Sequence, residues 1–181
     1  MKQEIVKKIE KIVVNTGIGK RASQPGFEDK ILPDFIKELA LITGQKPMTR
    51  PAKKSISSFK VREGMIVGLK ATLRSKRMAD IFEKIVKVVL PRGRDFRGLS
   101  DSNVDASGNL NFGIREHYVF PEINPDVSKA DFGLEITIVP KSVKSREEAI
   151  KVYREMGIPL KKSGASGNDS QLRPRGRNLK S

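Results

Sequence analysis

The sequence predicts an α+β fold, an antiparallel β-sheet with helices packed on one face. Two observations carry this. Several short segments alternate apolar and polar residues with period two, so each buries only one side, and three longer segments repeat their apolar residues at helical spacing. Their order along the chain is strand, helix, edge strand, strand, helix, strand, strand, helix, which suits one sheet covered on a single side. The opposite side of the sheet is then polar.

Ile9–Asn15 (IEKIVVN) reads as the first strand, with Ile12 and Val14 on one face and Lys11, Val13 and Asn15 on the other. A loop rich in Gly and small polar residues follows, TGIGKRASQPG. Ile31, Leu32, Phe35, Ile36 and Leu39 then recur at helical spacing. Pro33 fits the first turn of that helix and Gly44 its C-terminal stop. The prolines of QKPMTRPA suit an edge strand. Ile66–Arg74 is the clearest strand: Val67, Leu69, Ala71 and Leu73 face one way, and Gly68, Lys70, Thr72 and Arg74 the other. Ser75 is placed to cap a helix whose stripe is Met78, Ile81, Phe82, Ile85 and Val89, with Pro91 after its last turn. After the loop PRGRDFRGLSDSNVDASGN, Leu110–Phe120 alternates again, which places His117 on the polar side with Asn111, Gly113 and Arg115. LEITIV turns Leu134, Ile136 and Ile138 inward and Glu135, Thr137 and Val139 outward. Ser145 and Glu148 form a capping box for a last helix that ends at Gly157. Residues 1–160 thus read as a single α+β domain. Residues 161–181 read as a basic C-terminal extension with too few apolar residues to order on its own.

Charge narrows the function. Across 181 residues, 36 Lys+Arg stand against 21 Asp+Glu, a net charge of +15. Self-repulsion of that size calls for a polyanionic partner, nucleic acid before an anionic membrane surface. No stretch is long and apolar enough for a membrane span, and the opening residues lack a secretory apolar block, so a cytoplasmic address is expected. The chain has no Cys, hence no disulfide and no thiolate metal site. From Arg50 to Arg77 nine basic residues face Glu63 alone, net +8 in 28 residues. The centre of that run, KKSISSFKVREGM, is too charged for core and too patternless for a helix, which points to contact outside its own domain. An average charge run is a solvated face. Here the whole-chain excess, the cluster PRGRDFRG and the basic tail tip the balance to phosphate contact. Lys70, Thr72 and Arg74 form a comb spaced about 7 Å, twice the strand rise, suited to a nucleic-acid backbone. With no basic recognition helix and no aromatic triplet on the polar face, recognition of folded RNA by shape and backbone is expected.

Catalysis finds little footing. GIGK lacks the spacing of a phosphate-binding loop and is followed by Arg21, so it reads as a turn. The single His117 has no Cys or ligand cluster beside it, and no cofactor is implied.

KIVVNTGIG, LITGQKP, AKKSISSFKVREGM, VGLKATLRSKRM, LPRGRDFRGL, FGIREHYVFPEI and GLEITIV, in that order, closely resemble the family of bacterial large-subunit ribosomal protein five, over about Lys8 to Pro159. The resemblance implies a non-enzymatic protein that binds 5S rRNA in the central protuberance. It implies rRNA contacts at Asn15, Gln45, Lys70, Thr72, Arg74 and Glu135, with Glu135 where the family usually carries aspartate, and at Arg92, Arg94 and Arg97 toward large-subunit rRNA. It further implies a mobile loop reaching P-site tRNA through Lys53, Lys54, Ser55, Phe59, Lys60 and Arg62. Other implied partners are protein thirteen of the small-subunit head and other proteins of the central protuberance. Three departures are expected: most of the helix before IEKIVVN missing, a longer connection after Gly19, and the extra tail. The rival readings are an RNA-processing enzyme and a general nucleic-acid or membrane-surface binder.

Overall fold

The computed structural model describes residues 2–19, 26–93, 96–128 and 130–161. Its centre is a five-stranded antiparallel sheet in the order β2-β3-β1-β6-β5, formed by β1 (Ile9–Gly17), β2 (Met48–Pro51), β3 (Ile66–Leu73), β5 (Leu110–Ile114) and β6 (Leu134–Pro140). Helices α1 (Lys2–Lys8), α2 (Leu32–Thr43), α3 (Ser75–Lys84) and α5 (Arg146–Glu155) complete the layer, and a short α4 (Leu90–Arg92) continues α3. A second, two-stranded parallel pair joins β4 (Leu99–Ser100) to β7 (Leu160–Lys161).

Strand parity sorts the core. Ile12, Val14, Leu69, Ala71, Leu73, Leu110, Phe112, Ile136 and Ile138 are almost wholly buried, and each belongs to the apolar member of its alternation. The helices meet them with Phe35, Leu39 and Ile42 from α2 and Met78, Ile81 and Phe82 from α3. Each such side chain contributes about 1.5–3 kcal/mol relative to exposure. This one-sided burial holds β3 in register: a slip by one residue would put Lys70 and Thr72 into the core.

Helix ends follow the sequence at Pro33 in the first turn of α2, at Gly44, at the Ser145 capping box and at Gly157 (φ 85°) after α5. Gly44 closes α2 at φ 65° and returns its N–H to the Ala40 carbonyl at 2.8 Å. Ser145 Oγ accepts from the Glu148 N–H at 3.3 Å, while Glu148 Oε2 accepts from the Lys144 N–H at 2.9 Å. α3 differs from expectation. Arg74, still extended, occupies its N-cap position without a side-chain cap, and Ser75 turns the chain sharply with φ 51° instead of capping it. The helical path also runs on through Pro91. Ile85–Val89 is a π-helical turn in which Leu90 N–H bonds back to Ile85 O, and that widening makes room for a proline ring in the next turn.

Before β1 the chain forms the seven-residue α1, whose buried Ile5 lies four residues before buried Ile9 of β1 and whose Lys2 Nζ reaches Asp80 Oδ1 of α3 at 2.6 Å. One further expectation is corrected. The strand expected over Leu110–Phe120 stops at Ile114, and His117–Val119 forms a 3-10 turn. His117 and Phe120 are three apart, the spacing that shares one face of such a turn, and both are buried. Gly133 allows the return: a Cβ there would lie 3.2 Å from the Ile114 carbonyl oxygen. The connection of residues 20–25, Arg94 and the extension beyond Lys161 lie outside the described residues.

Candidate RNA interface

The uncovered side of the sheet is built in rows set by register. Met48, Lys70, Asn15, Glu135 and Gly113 lie side by side across all five strands. The next row holds Thr72, Val13, Thr137 and Asn111. Neighbours within a row are about 5 Å apart and rows about 7 Å. Asn15, Lys70 and Thr72 are half-buried and Glu135 is exposed. Thr137 Oγ1 donates to Asn111 Oδ1 at 2.8 Å, which fixes the amide orientation at the β5 end. Val13, 8% exposed, is the apolar centre around which the polar groups stand.

The face is therefore neutral and hydrogen-bonding more than cationic. Its lysines are Lys11, which pairs with Glu10 at 3.2 Å, and Lys70. Further positive charge stands at the border: Arg50 on the edge strand β2, opposite Gly68, and Arg74 and Arg77 past the far end of β3, all exposed. At that end of β3 Gln45 Nε2 donates to the Thr72 carbonyl at 3.2 Å, just after Thr43 Oγ1 bonds the Leu39 carbonyl at 2.7 Å to close α2. The sequence-predicted residues Asn15, Gln45, Lys70, Thr72, Arg74 and Glu135 thus come together on one face and its edge.

The segment from Lys53 to Arg62 is separate. The segment expected as a loop folds back as an arch. Ile56 and Val61 exchange backbone bonds of 2.8 and 3.2 Å, and Ala52 N–H meets Met65 O at 2.8 Å. Ser55 Oγ accepts from Glu63 N–H at 2.9 Å. Gly64, at φ 83°, supplies the backbone turn that closes the base of the arch. At the tip Ser57–Phe59 make a 3-10 turn closed by Lys60 in the left-handed region at φ 52°. This pushes Phe59 into solvent, 73% exposed, amid exposed Lys53, Lys54, Lys60 and Arg62.

Arg92, the last residue of α4, and Arg97, just before β4, are exposed on a third stretch. Gly98 (φ 105°) lets β7 lie close: a Cβ there would stand 3.0 Å from the Pro159 carbonyl oxygen, and Leu99 N–H bonds that same oxygen at 2.8 Å. Arg94 of this stretch is among the undescribed residues.

Sequence reasoning missed one polar cluster. His117, 1% exposed, stacks on Phe132 at 4.2 Å and places Nε2 2.8 Å from Glu38 Oε2 and 3.1 Å from Ser128 Oγ. Ser128 Oγ also lies 2.9 Å from Glu38 Oε1. Ser, His and Glu are the members of a hydrolytic triad, but a triad sets its nucleophile and its acid on opposite ring nitrogens. Here both share Nε2, and Nδ1 is buried with no partner, so the arrangement is not that of a triad. The cluster pins the turn of residues 116–131 to α2. Among the described residues no group of His, Asp and Glu is arranged to hold a metal ion, and no helix is long and apolar enough to cross a membrane.

Comparison with known proteins decides the family. The family model for ribosomal protein L5 matches residues 5–62, and the model for the C-terminus of the same ribosomal family matches residues 66–160. The chain belongs to the ribosomal protein L5 family. It is 50% identical to the large ribosomal subunit protein uL5 of Pseudothermotoga lettingae over 157 residues, 87% of this chain and 83% of that protein. The uL5 of Halothermothrix orenii is 48% identical over 86% of this chain and 84% of its own. That of Macrococcus caseolyticus is 46% identical over 87% and 85%. As an L5 family member the chain is a structural, non-enzymatic protein of the large ribosomal subunit, in agreement with the closed geometry around His117. The L5 match runs through β3, the arch and β6, and so spans both the polar face and the basic tip.

Proposed function

We propose that the open sheet face binds 5S rRNA and holds it in the central protuberance of the large subunit. The observation that carries this reading is the asymmetry of the sheet: helices seal one side, while the other presents Asn15, Lys70, Thr72 and Glu135 in register, with Arg74 at the rim. Amide and hydroxyl groups read sugar hydroxyls and base edges, Glu135 accepts from base amino or sugar hydroxyl groups, and the rim arginines hold phosphates. Arg92 and Arg97 supply further phosphate contacts to large-subunit rRNA, and Arg94 joins them by sequence.

The arch is a second surface, suited to P-site tRNA. Lys53, Lys54, Lys60 and Arg62 meet backbone, Ser55 fixes the fold of the arch, and Phe59 offers a flat apolar ring to an exposed base or ribose. Backbone contact serves any tRNA, which a sequence-indifferent machine requires. The turn of residues 116–131 is a third surface. It carries Glu116, Glu122, which pairs with Lys84, Asp126 and Asp131, and it exposes Tyr118 and Val127. An acidic, apolar-tipped turn on a chain of net charge +15 repels RNA and suits a basic protein, which fits a bridge to protein thirteen of the small-subunit head.

The test is competition binding of 5S rRNA against an unrelated RNA of equal length, together with sedimentation. The protein should prefer 5S rRNA and travel with large subunits at high salt. Equal affinity for both RNAs would reject the reading in favour of a general polyanion binder.

A further inference from the structure

Gln45 is engaged at both ends of its amide. Nε2 donates to the Thr72 carbonyl at 3.2 Å, and Oε1 accepts from Arg77 Nη1 at 3.3 Å. Gln45 is half-buried, whereas Arg77 is exposed in the first turn of α3, three residues after Arg74. That turn contains no acidic residue, and the neutral Gln45 amide holds Arg77 where a carboxylate would have neutralised it. One hydrogen bond to Gln45 leaves four of the five guanidinium donors for a ligand. A carboxylate in the place of Gln45 would cancel the charge that a phosphate needs; a neutral amide orients the fork and leaves its charge intact. Holding an exposed arginine in one place before binding also removes part of the ordering cost at the moment of binding.

We propose that Arg77 is a further RNA-binding residue of the sheet site, and that Gln45 is a positioning residue that acts through it. The proposal rests on the sheet-face reading above. Arg74 and Arg77 together grip the backbone of the folded RNA at the β3 rim, while Thr72 and Asn15 meet sugars and base edges beside them. The Gln45 amide then serves RNA binding by holding a guanidinium, with one N–H and one lone pair of the amide already used inside the protein.

The experiment measures 5S rRNA affinity across a salt series for the full chain and for Arg77→Ala, Arg77→Lys, Arg74→Ala, Gln45→Ala and the Gln45→Ala/Arg77→Ala double variant. Arg77→Ala should weaken binding about tenfold and lower the log–log salt slope by about one. Arg77→Lys should keep the slope and still bind several-fold more weakly, since an ammonium lacks the planar fork. Gln45→Ala should weaken binding about threefold in the otherwise native chain and add nothing in the Arg77→Ala background. Thermal melting checks that each variant folds, and Arg77→Lys decides the matter should Arg77→Ala fail to fold. An Arg77 variant with native affinity and slope overturns the assignment; if Arg74→Ala still binds weakly, the sheet-face reading survives that result. If Arg74→Ala and Arg77→Ala both bind like the native chain, the sheet-face reading itself falls. A Gln45→Ala loss that persists in full without Arg77 overturns the positioning role.

Discussion

Replacing His117 by Phe should destabilise the protein by about 1.5–3 kcal/mol, the cost of leaving a buried charged acceptor short of one donor. The substitution keeps a ring in place but also removes the 3.1 Å contact to Ser128 Oγ and the unpartnered buried Nδ1, whose loss offsets part of the cost and puts the expected value toward the low end of that range. The new ring keeps the 4.2 Å stack on Phe132 and nearly fills the same space, so transfer and cavity contributions almost cancel. What disappears is the 2.8 Å bond from Nε2 to Glu38 Oε2. The Glu38 side chain is 13% exposed and keeps Ser128 Oγ at 2.9 Å as its remaining donor. Water therefore reaches the carboxylate poorly, and its charge goes partly uncompensated. For a chain of this length each kcal/mol lowers Tm by about 2–4 °C, so a fall of about 3–12 °C is expected. Thermal and urea unfolding of the native, His117→Phe, Glu38→Gln and doubly substituted chains form a double-mutant cycle. Glu38→Gln in the His117→Phe background removes the orphaned charge and should recover most of the loss. 5S rRNA affinity should stay native throughout, because the pin lies away from the open sheet face. A His117→Phe chain as stable as the native one, or losses that simply add, would refute the idea that His117 and Glu38 act as a pair.

Three other outcomes follow from the geometry. Substituting Lys53, Lys54 and Lys60 by Ala should weaken tRNA engagement and lower its salt slope by about 0.7–0.9 per lost phosphate contact, with 5S rRNA binding untouched; equal loss of both would mean that the arch and the sheet are one surface. Gly98→Val places a β-branched residue at φ 105° with Cβ 3.0 Å from the Pro159 carbonyl, so β7 should detach from β4 at a cost of about 1–3 kcal/mol, read as faster amide exchange at Leu99. Tyr153→Phe removes a buried hydroxyl that lies 2.9 Å from Gly108 O and 3.0 Å from Ile138 O, and should cost about 0.5–1.5 kcal/mol. Burial raises the Tyr153 phenol above its ordinary 10.0, so its contribution is whole below pH 10 and is lost as pH rises past that point; the native chain should lose stability there more steeply than the Phe variant.

What the sequence made legible was whatever neighbouring residues decide among themselves. The face assignments of β1, β3 and β6 follow from period two, and the α5 capping box needs only Ser145 and Glu148. The outer-face positions Asn15, Lys70, Thr72 and Glu135 were legible for the same reason, since parity alone places them. Partners distant in the chain left weaker traces. His117 reads as a surface residue on a continuing strand because its acceptor, Glu38, comes from α2, and Ser128, bonded to that same carboxylate, is 90 residues from it. The three-residue spacing of His117 and Phe120 is the local hint of a turn. The β4–β7 pair joins Leu99 to Leu160, and neither two-residue segment shows any period. The trace of α1 in the sequence is slight, little more than Ile5 and Ile9 one helical turn apart. The basic character of the face was overestimated for a related reason. Counting charge along the sequence cannot separate a comb on the sheet from cations beside it; the structure puts Arg50 on the edge strand and Arg74 and Arg77 past the end of β3.

That division of charge has a physical logic for an RNA-binding surface. Phosphates lie on the outside of a folded RNA and stay partly hydrated, so rim cations meet them without full desolvation, and each adds to the salt slope. Groups at the centre of an interface lose their water. A lysine there must be matched by a full charge or it costs stability, whereas an amide or hydroxyl needs only one well-placed partner. The penalty for an unmatched hydrogen bond at the centre is what separates one RNA from another, while the rim attracts all RNA alike. Asn15 of β1 and Thr137 of β6 stand on the middle strands, Thr72 and Asn111 end the row beside them, and the exposed arginines lie at the border. Central substitutions should therefore change the preference for 5S rRNA at constant salt slope, and rim substitutions the slope at nearly constant preference. A surface that worked by charge alone would show no such separation.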